Sequence, residues 1–386
     1  MSKLPPAYHH LTKHKLMPEI SHDDTSRFNF LISLNKHLSE LSKGNKTVYE
    51  KNVSSKIGKD SKTNRAMIRN LMNKQSHYQT WSALRRSSME MRQQAGRSIV
   101  LRDIKSLTNN ASKLNQNSNC QTDANFVVPS YQTAVDIHCM PGSYHTELCK
   151  NDVSAGANYD LGIFVTALGG LGKLSDGGGK ALVNYLQNEY PTFKPKKILE
   201  IGCTIGHSLL PIAQHFPDAE VIGIDLAAPV IRYASARAKA LGIDNVRFIQ
   251  ANGEKLDFDD ESFDWIQTTM FLHETSTSAI RKILSECYRC LKPNGLNLHV
   301  EQPQYTDDMD IYEKFIRDWD SYYNNEPFWS KMHDMDAKEL LTTAGFDEEK
   351  FMMFKADSIN DFESNDDDDA EDHGRKASWH LFGAWK

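Results

Sequence analysis

KKILEIGCTIGHSLLPIAQHFPDAEVIGID, residues 196–225, is the stretch that decides the fold. Ile198, Leu199 and Ile201 make an apolar run of strand length. A turn between Gly202 and Gly206 follows, then a helical stretch, then a second apolar run through Val221, Ile222 and Ile224. Strand, helix and strand in so short a span predict one βαβ unit of a parallel sheet. Asp225 stands at the carboxyl tip of the second strand. Open parallel sheets bind ligands at those tips, where an acidic side chain can hold ribose hydroxyls. Any doubly wound protein can carry such a unit, so the glycine spacing has to discriminate.

A dinucleotide site requires G-x-G-x-x-G before a helix whose amino end meets a pyrophosphate. In Glu200-Ile201-Gly202-Cys203-Thr204-Ile205-Gly206 the middle glycine is replaced by Thr204, and a carboxylate precedes the turn. A carboxylate there suits an ammonium group, not a phosphate. The run resembles motif I of the class I S-adenosylmethionine (AdoMet) methyltransferases, E/D-x-G-x-G-x-G, with a departure at Thr204. ANGEKLDFDDESFDWIQTTMFLHET (251–275) resembles the stretch after the third strand in the ubiquinone/menaquinone-biosynthesis branch of that family. Asn252-Gly253 takes the place of the acid-alanine pair that meets adenine there. LKPNGLNLHVEQP (291–303) resembles the branch's helix end, turn and fifth strand.

The resemblance covers roughly 195–386. It implies an α/β fold with a doubly wound, seven-stranded, mostly parallel Rossmann-like sheet, AdoMet as cofactor, and methyl transfer as the activity. By the same resemblance Glu200 organises the turn and faces the ammonium, and Gly202, Cys203, Thr204 and Gly206 form the loop under the ligand. Asp225 and Leu226 sit at the ribose, Asn252 and Gly253 at the adenine, and backbone near Thr269 and Met270 receives the ammonium. Tyr159, in a helical lead-in, is a candidate lid.

Methyl transfer is an in-line displacement, so alignment and desolvation supply most of the catalysis, and a base is needed only for an acceptor that holds its proton. His273 and Glu274, past the fourth tip, are the candidates for that base, followed by Glu301 at the fifth. A histidine at such a place also serves as a helix cap or as support behind the site. His138, Tyr144, His145, Asn325, Glu326 and Trp329 are candidate acceptor contacts. His138, Cys139, His145 and Cys149 lack the paired spacing of structural zinc sites, so no metal is expected. The glycine-rich run 169–180 fails the P-loop pattern. TTMF stands where N/D-P-P-Y/F would mark adenine or glutamine amide methylation. A small-molecule acceptor is therefore the leading expectation, and an RNA- or protein-directed enzyme is the alternative. The acidic catalytic half favours a neutral, zwitterionic or cationic metabolite over an anionic one.

The chain has 386 residues, enough for about two domains. Residues 1–115 hold 21 Lys and Arg against 8 Asp and Glu, a balance of +13, whereas the remainder balances at −19. The basic part either grips an acidic partner or docks on the acidic half. The expected organisation is a loose tail (1–23), a helical domain (24–115), a linker and pocket-lining segment (116–160), and an AdoMet-binding domain (161–386) with an acidic loop at 361–376. Within the helical domain one helix is expected to stop at Gly44, residues 42–64 to form a loop, and Gly96 to interrupt a second helix. Its apolar stripe suits a cap core or a homodimer interface. Nucleic acid and membrane are not expected partners. Scattered cysteines, the lack of an apolar run of about 20 residues and an amino terminus without a signal-peptide pattern point to the cytoplasm.

Overall fold

The computed structural model describes residues 5–57, 64–118, 120–359, 361–362 and 378–386. Among these, seven strands form one sheet in the order β3-β2-β1-β4-β5-β7-β6. They are β1 (Lys197–Ile201), β2 (Glu220–Asp225), β3 (Val246–Gln250), β4 (Phe263–Thr269), β5 (Leu291–Val300), β6 (Phe351–Asp357) and β7 (Ser378–Trp385). β1 to β5 pair in parallel, and β7 runs antiparallel between β5 and β6. The order reverses at β1 and β4, which opens a crevice at their carboxyl ends. β1 and β2 lie where the apolar runs through Ile198–Ile201 and Val221–Ile224 predict them. The turn Lys292–Gly295 is drawn into the start of β5, where the register against β4 shifts.

The helices are α1 (His22–Asn52), α2 (Arg65–Met72), α3 (Ser76–Leu114), α4 (Ser130–Thr133), α5 (Ser154–Thr166), α6 (Gly177–Glu189), α7 (Leu209–His215), α8 (Ala228–Ala240), α9 (Thr277–Cys290), α10 (Ile311–Arg317), α11 (Trp319–Tyr323), α12 (Trp329–His333) and α13 (Ala337–Ala344). Ser21 and Asp24 form a reciprocal capping box that starts α1. α1 runs through Gly44, because that glycine is where His77 of α3 packs and a side chain would collide with the imidazole. α3 likewise passes Gly96, which leaves room for Asn158 of α5. Close helix crossing, not chain interruption, explains both glycines.

The amino-terminal region shares a core with the sheet domain. Tyr8, Leu11 and Leu16, from the stretch expected to be loose, are buried with Phe28, Ile99, Leu161, Phe164, Ile205 and Tyr233. The boundary expected at residue 160 cuts through α5, whose Ala157, Leu161 and Phe164 belong to that same cluster. Three basic residues of α2 and α3 turn inward. Arg65 and Arg69 meet Asp318 at 2.9 and 3.2 Å, and Arg85 meets Asp320 at 3.2 Å. Their partners belong to the segment after β5, which is broken at Asp318 into α10 and α11. Phe315 and Trp319 are buried against Trp81 and Tyr78, whereas Tyr322 lies outward beneath Arg69. Of the expected acidic loop only Asp361 and Phe362 fall within the described residues. No described helix is long and apolar enough to cross a membrane.

Candidate active site

A cavity of about 620 Å³ lies at the carboxyl ends of β1, β2 and β4 and continues beneath α1, α3 and the α10–α12 segment. Its size falls within the roughly 300–1,000 Å³ of small-molecule sites. The floor is the turn after β1. Gly202 has φ 73°, and a Cβ there would fall inside the Phe271 ring, so only glycine suits the position. The backbone N–H groups of Gly202 and Cys203 both bond the Ile224 carbonyl, at 2.8 and 3.0 Å. Gly206 N–H bonds the Cys203 carbonyl, and Thr204 N–H donates to Asp225 Oδ2 at 3.1 Å. With these four donors engaged inside the fold, the loop is a poor cradle for a phosphate.

Glu200 sits at the bottom of this floor, buried. Its Oε1 accepts from Thr269 Oγ1 at 2.9 Å and from Gln267 Nε2 at 3.1 Å. Its Oε2 has no hydrogen-bond partner. Burial pushes its carboxyl up to about 8, against the two neutral hydrogen bonds that lower it. Asp225 accepts from Ala227 N–H at 3.0 Å as well as from Thr204, and burial raises its carboxyl to about 6. Asn252 Oδ1 accepts from Glu254 N–H, which leaves its amide N–H₂ for a ligand.

The opposite wall is a chain of imidazoles and carboxylates. His273 Nδ1 pairs with Glu301 at 2.6 Å, and its Nε2 lies 3.8 Å from Glu326. His138 bridges Glu274, 2.6 Å from Nε2, and Glu326, 3.0 Å from Nδ1. Tyr144 donates to Glu274 at 3.3 Å, and Trp329 packs edge-on against His273. Burial depresses the His273 imidazole, but the Glu301 carboxylate beside it outweighs burial and lifts it to about 9. Burial likewise works against the His138 cation, and Glu326 and Glu274 raise it well above the ordinary value. Glu326, drawn down against burial by His138, stays ionised, and its Oε2 has no hydrogen-bond partner. This wall therefore holds two imidazolium cations among carboxylates at neutral pH.

Most of the sequence-selected residues come together. Tyr159, Glu200, Gly202, Cys203, Thr204, Asp225, Leu226, Asn252, Gly253, Thr269 and Met270 line the cavity, as do His138, Tyr144, His145, His273, Glu274, Glu326 and Trp329. Three are placed elsewhere. Gly206 packs against Phe248 below the loop. Glu301, buried and bonded to His273 and to the backbone N–H groups of Leu272 and Gln302, stands behind His273 as its positioning residue. Asn325 ties Arg86 to the Asp136 carbonyl outside the cavity. The lining also contains Leu38, Trp81, Met89 and Arg92 of the amino-terminal helices and Tyr312 and Ile316 of α10, none of which the sequence reading assigned to the site. Among the described residues no group of three or more His, Cys, Asp or Glu side chains is arranged to hold a metal ion.

Residues 198–295 match the family model of a methyltransferase domain. The chain is 33% identical over 120 residues to the uncharacterized methyltransferase YcgJ of Bacillus subtilis, covering 31% of this chain and 45% of that protein. It is 35% identical over 109 residues to a demethylmenaquinone methyltransferase of Thermus thermophilus, covering 28% of this chain and 48% of that protein. The chain thus spans about half the length of the curated relatives it matches. Among solved structures, a SAM-dependent methyltransferase from Aquifex aeolicus aligns at TM-score 0.34 and 16% identity, over 53% of this chain and 87% of that one. Residues 198–295 of the sheet half are thus similar to a methyltransferase domain, and the same half is similar to part of a demethylmenaquinone methyltransferase. The residues present fit AdoMet: an orphaned carboxylate oxygen for an ammonium, a carboxylate for a diol, and a loop with four of its N–H groups already engaged.

Proposed function

We propose that the chain is an AdoMet-dependent methyltransferase acting on a small-molecule acceptor, held between the sheet tips and the roof formed by α1, α3 and α10–α12, in the cytoplasm. The observation that carries this reading is the unpartnered Glu200 Oε2 beneath a loop whose N–H groups are engaged, with Asp225 at the adjoining tip. AdoMet, when bound, supplies an electrophilic methyl group on a sulfonium.

Glu200 would hold the ammonium of the amino-acid end, and Asp225 would accept hydrogen bonds from the two ribose hydroxyls. The imidazole–carboxylate wall would orient the acceptor. Glu326 Oε2, ionised and open, is the group suited to accept a hydrogen bond or proton from an acceptor O–H or N–H. His273 and His138, already protonated at neutral pH, would act as donors and counter-charges, not as bases. The buried roof would exclude water. The inward ion pairs of Arg65, Arg69 and Arg85 favour docking of the basic region on its own chain over a grip on RNA.

Incubation of the full chain with methyl-labelled AdoMet and fractionated cell extract tests the proposal. Label in a small-molecule fraction supports it. Label confined to RNA or protein refutes the acceptor class, and no calorimetric heat with S-adenosylhomocysteine (AdoHcy) refutes the cofactor.

A further inference from the structure

We infer that Arg92 is the recognition group for a carboxylate on the acceptor, which makes the methylated metabolite an organic acid with an apolar body. The inference rests on the methyltransferase reading and deepens it. Arg92 lies on α3 and lines the cavity. Its neighbours on that helix are committed: Arg85 to Asp320, and Arg86 to Glu90 and the Tyr323 carbonyl. Arg92 differs. Among the described residues it has no hydrogen bond and no ion pair, and the groups its charge acts on are the neutral Tyr144, Tyr159 and Cys139. A half-buried guanidinium that lines a cavity without a counter-charge is left unsatisfied, and a planar fork suits a carboxylate.

Its position is also built. Gly162 of α5 lies directly under it, and a Cβ at that residue would take the place of Arg92 Nη1. Leu38, Trp81, Met89, Tyr312 and Ile316 line the same cavity and offer an apolar wall for the rest of the acceptor. The cofactor's own carboxylate is the competing guest. It must lie close to its ammonium, hence close to Glu200, whereas Tyr144 and Cys139 beside Arg92 belong to the opposite wall, where Tyr144 donates to Glu274 and Cys139 Sγ lies 3.6 Å from Asn324 Oδ1. The guanidinium therefore belongs to the acceptor's side. This runs against the expectation from overall charge that the metabolite is not anionic: the local, unpaired cation outweighs the distant surface balance.

The test uses the full chain saturated with AdoHcy, titrated with benzoate and with benzamide as probes. The expected result is saturable benzoate binding, benzamide weaker by about tenfold or more, and loss of that preference in Arg92→Gln. Gly162→Ala, which displaces the guanidinium without removing it, is expected to cut the preference as well. AdoHcy affinity should change by less than about twofold in both. The inference is overturned by absent benzoate binding, by equal benzamide binding, or by a preference retained in Arg92→Gln. If that variant folds poorly, a preference retained in Gly162→Ala overturns it instead. AdoHcy binding weakened about tenfold by Arg92→Gln would assign the guanidinium to the cofactor and also overturn it. Failure of wild type to bind AdoHcy is a separate outcome, and it refutes the methyltransferase reading itself.

Discussion

The floor and the roof of the cavity are built in opposite ways. The floor is local: Glu200, Gly202 and Asp225 come from one strand–turn–helix–strand unit, and β1 and β2 pair along their whole length. The roof is assembled from distant segments. His138 reaches Glu274 and Glu326, Trp319 donates to Ser82 at 2.8 Å, and Arg86 donates to the Tyr323 carbonyl at 2.6 Å. The difference separates two tasks. On the proposed reading the floor would recognise the cofactor through backbone geometry that few residues can provide, and the roof would shape the acceptor space through side chains that could be exchanged without touching the sheet.

If that division holds, damage to the roof costs stability and leaves the cofactor site intact. Trp81 is 1% exposed, packs against Trp319 and donates to the Leu38 carbonyl. Trp81→Ala is expected to destabilise the chain by about 3–5 kcal/mol through the cavity it leaves. AdoHcy affinity of the folded fraction should stay within about twofold. Denaturant melts with parallel calorimetry check this, and a large loss of AdoHcy affinity in the folded variant would break the comparison.

Damage to the floor should do the reverse. Asp225→Ala removes the acceptor of two ribose hydrogen bonds, each worth about 1.5 kcal/mol or more when the acceptor is charged, so AdoHcy binding should weaken about a hundredfold. The carboxyl of Asp225 is raised to about 6 by burial. Because Glu200 must lose its proton as well, wild-type affinity should already fall below pH 8 and steepen as pH drops through about 6, and Asp225→Ala should lack that second component, which approaches tenfold per unit. The same pH profile in wild type and Asp225→Ala would show that Asp225 does not face the ligand.

A third measurement concerns the roof's ion pairs. The folded His273 imidazole is raised to about 9 by Glu301 despite burial, above its unfolded value of about 6.5. A raised basic group contributes stability in full below the unfolded value and loses it as pH rises through the folded one. The wild type should thus lose on the order of 1–3 kcal/mol between pH 6.5 and 9.5, and Glu301→Gln should lose less over that window. Equal alkaline losses in the two proteins would show that the pair is not coupled to folding.

The same contrast explains what could be read from the sequence. Strand periodicity and glycine spacing operate within a few residues, so the sheet, Glu200, Gly202 and Asp225 were legible. Gly44 and Gly96 misled because a glycine's role depends on what crosses it, here His77 and Asn158, which lie far away in sequence. Trp81 and Met89 of the roof carried no site signal, since a helical apolar stripe looks the same whether it packs on a core or on a ligand, and Arg92 stood among several basic residues of the same helix. His138 was singled out, but its pairing with Glu274 and Glu326 was not, because both partners lie more than a hundred residues along the chain.

The smallest effect is the sharpest test of the floor. Glu200 is held at about 8 by burial, so at pH 7 it is mostly protonated when no ligand is bound. An ammonium placed against Oε2 favours the ionised form and drives the proton out. AdoHcy binding at pH 7 should then release about one proton per ligand, less one tenth for the fraction already ionised. At pH 9 the carboxyl is ionised beforehand and the release from this group should vanish. Calorimetry in two buffers of different ionisation enthalpy reads this directly, without any change in affinity. Glu200→Gln should abolish the release, whereas Trp81→Ala, in the roof, should leave it intact. A release that survives in Glu200→Gln would place the proton elsewhere and remove the orphaned oxygen from the account of cofactor binding.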